Sequence, residues 1–176
     1  MKLVFFLTVF VFIISSCSRL SEDELFERAE TAHQQKNVQE AMEKLQELLE
    51  RFPKGKHAET AQFLIARMYN DDLHDYQKAI AAYHKYRDLF PVSVRASTAL
   101  FSIGFIYNND LHQYDSAKTS YEQFLALYPK HEMAPSARFE LETLGKNPEE
   151  LFKPKVAVKE HRKEVGRAAS AKKKKK

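Results

Sequence analysis

The chain has 176 residues, about the length of one domain, and it reads as a globular, helix-rich protein with 44% apolar and 30% charged residues, four glycines and six prolines. A single cysteine excludes an internal disulfide and a zinc site built from cysteines alone. The net charge of +4 is uneven, because residues 153–176 contain 11 Lys and Arg against two Glu and the preceding residues are therefore acidic overall.

The first sixteen residues have the pattern of a secretory signal peptide. Lys2 precedes an apolar run over residues 3–14 in which only Thr8 is polar, and two serines follow it. A helix of that length measures about 18 Å, whereas the hydrocarbon core of a bilayer is about 30 Å thick, so the run is too short to span it. A positive start, a short apolar run and small residues at its end predict a signal peptide over residues 1–16.

The tetrapeptide Ile14-Ser15-Ser16-Cys17 resembles the lipobox of bacterial lipoproteins. The resemblance implies that Cys17 becomes the acylated N-terminus, that residues 17–21 form a lipid-bearing linker, and that this covalent lipid is the only non-protein group. Several acyl chains, at about 0.8 kcal/mol per buried CH₂, would hold the protein on a membrane. Ser18 follows the cysteine in place of Asp, which favours the outer membrane by analogy with enteric sorting. A plain signal peptide or a short uncleaved anchor is the alternative.

An internal repeat of 38 residues runs through the middle of the chain. Three dipeptides recur at that spacing: Phe52-Pro53, Phe90-Pro91 and Tyr128-Pro129. Apolar residues within the second unit recur at helical spacing, which predicts helix A over residues 58–70 and helix B over residues 76–90. Each proline lacks the N–H that a continuing helix needs, so it ends helix B. The pattern predicts an array of helix-turn-helix units.

Polar residues stand where the second helices of these units are predicted to begin. Asn37, Asp75 and Asp115 are the expected N-caps, because a side-chain oxygen there accepts from a backbone N–H that the helix leaves without a partner. Glu40 follows Asn37 at the spacing of a capping box. The starts of the second helices are therefore predicted from local signals alone.

The repeat resembles the tetratricopeptide repeat (TPR). Five sets of residues match positions that are typical of the family: Ala29, Ala66 and Gly104; Tyr69 and Tyr107; Ala41, Ala79 and Ala117; Leu45, Tyr83 and Tyr121; and Pro53, Pro91 and Pro129. Ala32 departs from the pattern, because it stands where the family has the aromatic residue that Tyr69 and Tyr107 supply. The resemblance implies an all-α TPR solenoid over residues 22–152. Its parts would be three helix-turn-helix repeats and a C-terminal capping helix, at about 22–55, 57–93, 95–131 and 132–145. The units must stack, because one helix pair cannot bury its apolar stripe alone.

The later repeats are longer than the first, and this elongated form on a lipobox-bearing chain resembles the periplasmic TPR lipoproteins of the outer-membrane assembly (BamD-like) family. The resemblance implies a scaffold that is lipid-anchored in the cell outer membrane, faces the periplasm and takes part in outer-membrane protein assembly. Two other roles stay open. The first is a periplasmic adaptor of the Tol–Pal, cell-division or cell-wall machinery, and the second is a regulatory subunit of an envelope enzyme.

No motif in the sequence predicts catalysis, so we expect a binding protein and not an enzyme. The four glycines are isolated, which excludes a phosphate-binding loop, and the chain has no His-Glu-x-x-His motif and no nucleophile elbow. His74 and His112 occupy equivalent positions in two Asn-x-Asp-Leu-His segments. Because repetition alone explains their recurrence, we expect no metal site.

The predicted partner-binding surface is the concave groove that the first helices of TPR repeats form. The groove-facing positions of the family imply seven residues of this chain: His33, Phe63, Arg67, Asn70, Phe101, Phe105 and Asn108. The amides of Asn70 and Asn108 offer a donor and an acceptor to a peptide backbone, and Phe105 offers an anchor for an apolar side chain. Core packing is the alternative for Phe63 and Phe101, and helix-end capping for the two asparagines.

The lysine-rich tail, residues 153–176, has high charge and few apolar residues, which predicts disorder. Such a segment is attracted to anionic surfaces. The candidates are membrane headgroups, a cell-wall polymer, an acidic protein and the acidic body of the chain itself, and a solvated tail without a specific ligand is the alternative. Nucleic acid is not an expected partner, because the predicted compartment contains none.

Overall fold

The computed structural model describes residues 20–146, which are helical with short turns and contain no strand. The predicted signal peptide, Cys17 and the lysine-rich tail lie outside these described residues. A π-helical turn covers Ile106–Asp110. The helices are α1 Glu22–Gln34, α2 Val38–Arg51, α3 Ala58–Asp71, α4 Tyr76–Leu89, α5 Arg95–Phe105, α6 Tyr114–Leu127 and α7 Ala134–Thr143.

The chain divides into two compact units, and the division falls within α5, after Ser102. In unit 1, α1 packs against α2, α2 against α3, and α3 against α4. Leu25, Leu45 and Leu48 are at most 1% exposed in the core of this unit, and each such side chain contributes about 1.5–3 kcal/mol by burial. Small residues such as Ala29 and Ala41 are also buried, which lets neighbouring helices approach closely. The predicted helices at 58–70 and 76–90 are confirmed to within one residue at each end.

The turns inside the three helix pairs each contain a residue with a positive φ angle. Lys36, His74 and His112, which are 38 residues apart, adopt positive φ angles of 64°, 51° and 53°. This left-handed conformation is unfavourable for residues other than glycine, and here it reverses the chain within a few residues. The ring Nδ1 of His74 and of His112 lies 3.1 and 3.2 Å from the carbonyl oxygen four residues earlier. The recurrence of the two histidines thus reflects the turn.

Two of the three predicted N-caps are confirmed. Asn37 accepts from the N–H of Glu40, and Asp75 from the N–H of Lys78. The prediction for Asp115 is wrong, because Gln113 occupies the N-cap position and Asp115 lies in the first turn of α6. In the repeat register Gln113 corresponds to Asp75, and a carboxylate inside the first turn still interacts favourably with the helix dipole.

A full capping box, which was not predicted, occurs at the start of α1. The hydroxyl of Ser21 accepts from the N–H of Glu24 at 3.3 Å, and the Glu24 carboxylate accepts from the N–H of Ser21 at 2.8 Å. At α2 the arrangement is only half of a box, because the Glu40 carboxylate accepts from the side-chain amide of Asn37 and not from its backbone. The Ser21 box fixes the start of the first helix, the first element in the described residues.

In unit 2, α6 packs against the π-helical turn and against α7. Gly104 stands beside the ring of Tyr121, so that a Cβ at position 104 would lie 2.9 Å from Cε1 of that ring. Tyr121 is fully buried, and burial raises the pKa of its phenol. The closing helix α7 lies within the predicted range 132–145. Within residues 20–146, no helix has the length and apolar character needed to cross a bilayer.

Candidate partner-binding surfaces

Three of the predicted groove residues meet at the ends of α1 and α3 in unit 1, where acidic side chains bind them. Nε2 of His33 lies 2.9 Å from the carboxylate of Asp72. Arg67 donates to Asp71 at 3.2 and 3.3 Å, and the amide of Asn70 donates to the same carboxylate at 2.7 Å. The structure therefore places His33 beside Asp72, and Arg67 and Asn70 beside Asp71, so that some of their polar atoms already have partners within the chain.

The two predicted aromatic residues of unit 1 are half-buried. The ring of Phe63 packs edge-on against Tyr86 and Tyr83, with centroids 5.1 and 5.8 Å apart. The guanidinium of Arg95 lies 5.8 Å from the Phe63 centroid on α3. These contacts agree with the alternative interpretation of Phe63, in which its ring packs within the chain. Phe101 is half-buried in α5, and its role in the groove stays a prediction.

In unit 2, the two remaining groove residues stand at the π-helical turn. Phe105 is 43% exposed, and its carbonyl accepts from the side-chain amide of Asn109 at 3.1 Å. The amide of Asn108 donates to the carboxylate of Glu140 in α7 at 2.9 Å. Asn108 thus ties the closing helix to the turn, while Phe105 offers exposed aromatic surface.

A second surface of unit 1 was not predicted. It is a groove of about 430 Å³ between α2 and α4, with α3 as its floor, and we call it the α2–α4 groove. Apolar side chains make up much of its wall. The lining residues are Gln46, Leu49, Glu50, Gln62, Ile65, Tyr69, Lys78, Ala81, Ala82 and Lys85. Another cavity, beside His33, has a volume of about 120 Å³ and shares no lining residue with this groove.

One polar residue is buried in the wall of the α2–α4 groove. Gln62 is 2% exposed, and among residues 20–146 its Oε1 has no hydrogen-bond partner. An amide oxygen that loses water without gaining a donor costs about 1–3 kcal/mol. The repeat itself contained the signal, because the position 38 residues later is Leu100, which is 1% exposed. A polar residue thus lines this groove at a repeat position where the next unit has a core leucine.

Charged residues line the two rims of the α2–α4 groove. Glu50 is exposed on α2, and Lys78 and Lys85 are exposed on α4. The ammonium of Lys78 lies 2.6 Å from the carboxylate of Asp75 and 5.6 Å from the centroid of Tyr69. The hydrogen bond that Lys78 donates to the carboxylate of Asp75 raises the pKa of Lys78, so this side chain stays charged at neutral pH. The groove can therefore take an apolar side chain, a hydrogen-bond donor facing Gln62, and a carboxylate beside α4.

Metal binding has no geometric basis in the part of the chain that the structure describes. No three His, Cys, Asp or Glu side chains come close enough in residues 20–146 to hold an ion. His74 and His112 each lie beside a backbone carbonyl of their own turn.

Comparison with known proteins agrees with this fold. The YfiO family, described as outer membrane lipoprotein, matches residues 19–146. The TPR domain of Arabidopsis OM64 is 18% identical over 69% of this chain and 94% of that chain, with a TM-score of 0.53, which supports the fold. A tetratricopeptide repeat protein from Parabacteroides merdae is 15% identical over 69% of this chain and 59% of that chain, with a TM-score of 0.36. No curated protein matches the sequence. The chain has a TPR fold and belongs to the YfiO family of outer membrane lipoproteins.

Proposed function

We propose that this protein is a lipid-anchored scaffold of the outer membrane, faces the periplasm, and holds a partner polypeptide during outer-membrane protein assembly. The family match supports an envelope lipoprotein, and stacked TPR helices typically present surfaces for protein partners. Acylation of Cys17 would supply the anchor. In this proposal the protein binds its partner and catalyses no reaction.

The observation that carries the proposal is the buried, unpartnered oxygen of Gln62 in an apolar groove. A partner that inserts an apolar side chain and donates an N–H to this oxygen removes a desolvation cost of about 1–3 kcal/mol. A ligand without that donor leaves the cost in place, so the oxygen discriminates between ligands as well as binding them.

The charged residues on the rim of the α2–α4 groove indicate which charge the partner segment carries. Lys78 and Lys85 lie two turns apart on the same face of α4, and both line the groove. A carboxylate next to the inserted apolar side chain would meet these ammonium groups, whereas a basic residue would be repelled. We therefore propose a segment with one large apolar residue flanked by an acidic residue.

The sequence-predicted groove stays a second proposed contact surface. Phe105 is its most exposed aromatic residue, and Arg67 is exposed beside Asp71. The other five positions are His33, Phe63, Asn70, Phe101 and Asn108. Their contacts within the chain would have to rearrange, or be shared, when a partner binds them.

Affinity purification of the lipidated, tagged full chain from cell envelopes tests the function. Outer-membrane β-barrel proteins should co-purify with the wild type. Ala82→Arg fills the α2–α4 groove with a long cation and should reduce their recovery about tenfold, a factor that corresponds to about 1.4 kcal/mol. The matched control is Ala126→Arg, which changes an exposed alanine of α6 and should leave recovery unchanged.

Each contrary outcome has a distinct meaning. Equal recovery with Ala82→Arg would show that the α2–α4 groove does not bind the partner. Recovery of Tol–Pal or wall-synthesis proteins in place of β-barrel proteins would support the adaptor role, and recovery of a single envelope enzyme would support the regulatory role. Mass spectrometry of the mature N-terminus tests the anchor separately, because an unmodified Cys17 thiol would contradict it.

A further inference from the structure

The start of α1 and the α2–α3 loop lie together at one end of unit 1. The backbone N–H of His57 donates to the carboxylate of Glu22 at 2.6 Å. Asp23 binds Lys56 and the ring of His57, each at 2.7 Å, and these contacts lower the pKa of its carboxyl. The first described residue is fastened here as well, because the guanidinium of Arg51 donates to the carbonyl of Leu20.

The α4–α5 loop is held at the same end of unit 1. Glu59, in the first turn of α3, accepts from the hydroxyls of Ser93 and Tyr86 at 2.7 and 3.0 Å. Arg95 pairs with the same carboxylate at 3.4 Å. Because α3 begins beside the α2–α3 loop, these bonds place residues 90–94 next to the segment that holds Leu20. The loop is thus a fixed part of this end.

The fixed loop presents apolar side chains to solvent. Val92 is 96% exposed and Val94 is 87% exposed, and Leu89 at the end of α4 is 55% exposed. These side chains bury little surface within the chain, although Ser93 between the two valines is bonded to α3. Lys54, in the α2–α3 loop at the same end, is also exposed. Exposed apolar residues and a cation at the same end of a unit are typical of a surface that meets a lipid interface.

The chain length between the anchor and Leu20 limits how far this end can be from the bilayer. Leu20 follows Cys17 by three positions, and three residues extend over at most about 10 Å. An acylated Cys17 lies at the boundary of headgroups and acyl chains. The hydrogen bond from Arg51 to Leu20 would then keep the α2–α3 and α4–α5 loops close to the lipid.

We infer that this end of unit 1 is a membrane-contact surface, with Val92 and Val94 inserted among the lipid headgroups. The inference rests on the lipid anchor of the proposed function. It sets the orientation of unit 1, because α3 would run away from the bilayer and the α2–α4 groove would face the aqueous side. A partner could then reach Gln62 without entering the lipid.

Tryptophan fluorescence of the lipidated full chain on vesicles tests this surface cleanly, because the natural sequence contains no tryptophan. The test variant is Val92→Trp. The matched control is Leu73→Trp, at a position that is 46% exposed in the turn at the opposite end of α3. The 14 residues of α3 separate the two positions by about 20 Å, more than the depth of the interface. The vesicles contain phosphatidylethanolamine and phosphatidylglycerol with brominated acyl chains, which quench nearby indoles.

We expect the tryptophan at position 92 to be quenched by about half or more and its emission to shift to the blue, since interfacial side chains lie about 5–10 Å deep. The tryptophan at position 73 should show neither change. Adding Val94→Asp to Val92→Trp should reduce the quenching strongly, because a carboxylate resists transfer into the interface. Both valines are exposed, so these changes leave the core untouched.

The outcomes separate this inference from the scaffold function. A protein that floats with the vesicles but shows no quenching at position 92, or equal quenching at positions 92 and 73, refutes the contact surface while leaving partner recovery intact. A protein that does not float refutes the anchor and with it the contact surface. The Ala82→Arg comparison still tests the α2–α4 groove in either case.

Discussion

Replacing Gly104 by alanine perturbs a close helix contact of unit 2. The new Cβ would lie 2.9, 3.0 and 3.2 Å from Cε1, Cδ1 and Cζ of Tyr121. Carbon atoms pack best at about 3.5–4.0 Å, so the ring or the helix must shift by about 0.5–1 Å. Tyr121 is 0% exposed, and its ring therefore has no solvent-filled space to enter.

Two opposing effects set the size of the change in stability. Overpacking a closed core costs about 1–3 kcal/mol. Replacing glycine by alanine within a helix contributes about 1 kcal/mol in the opposite direction. We expect Gly104→Ala to destabilise the protein by about 1 kcal/mol on balance, and Gly104→Leu to cost several times more because its side chain cannot avoid the ring.

Thermal melts followed by circular dichroism measure this effect. A loss of about 1 kcal/mol lowers the midpoint by about 2–4 °C for a chain of this size. The matched control is Ala66→Gly, at the equivalent position of the preceding repeat, where helix propensity alone predicts a loss of about 1 kcal/mol. If Gly104→Ala melted at or above the wild-type temperature, the close contact with Tyr121 would be contradicted.

Three further changes test other parts of the structure. Gln62→Leu should raise the unfolding free energy by about 1 kcal/mol, because it removes an amide oxygen without a partner; a loss in denaturant titration would mean that this oxygen is bonded. Ser21→Ala should cost about 1 kcal/mol by removing the capping box of α1, and an unchanged melt would contradict its role. The hydrogen bond from Ser93, first among its contacts, lowers the pKa of Glu59 below the ordinary 4.5. A carboxyl with a lowered pKa stabilises the fold at pH values above its ordinary pKa, and this stabilisation is lost as the pH falls through the folded-state pKa. Glu59→Gln should therefore make the unfolding free energy depend less on pH below about pH 5. Parallel pH profiles of the variant and the wild type would refute this.

Local signals made most of the fold predictable. Apolar periodicity and the prolines that end helix B are properties of short segments, and they placed α3 and α4 to within one residue. The error at Asp115 came from choosing the nearest acidic residue, although the repeat register assigns Gln113 to the N-cap. Neighbouring repeats are therefore a better guide to a cap than residue type alone.

The candidate surfaces were less predictable because they depend on which side chains meet across helices. Periodicity identifies outward positions on a first helix, but it does not reveal that Asp71 and Asp72 bind Asn70 and His33, or that Glu140 takes the amide of Asn108. The α2–α4 groove depends on the packing of three helices. Its signal in the sequence was present all the same, as a glutamine where the next repeat has a leucine.

Site-specific photo-cross-linking in the living cell envelope tests the central claim most directly. A photo-reactive residue replaces Lys85 at the rim of the α2–α4 groove, and another replaces the exposed Lys118 of α6 as a control. The account predicts that position 85 cross-links an outer-membrane β-barrel protein through an apolar segment with an acidic neighbour, and that Ala82→Arg abolishes the product. Cross-links to such a protein from position 118 but not from position 85, or none from either, would contradict it.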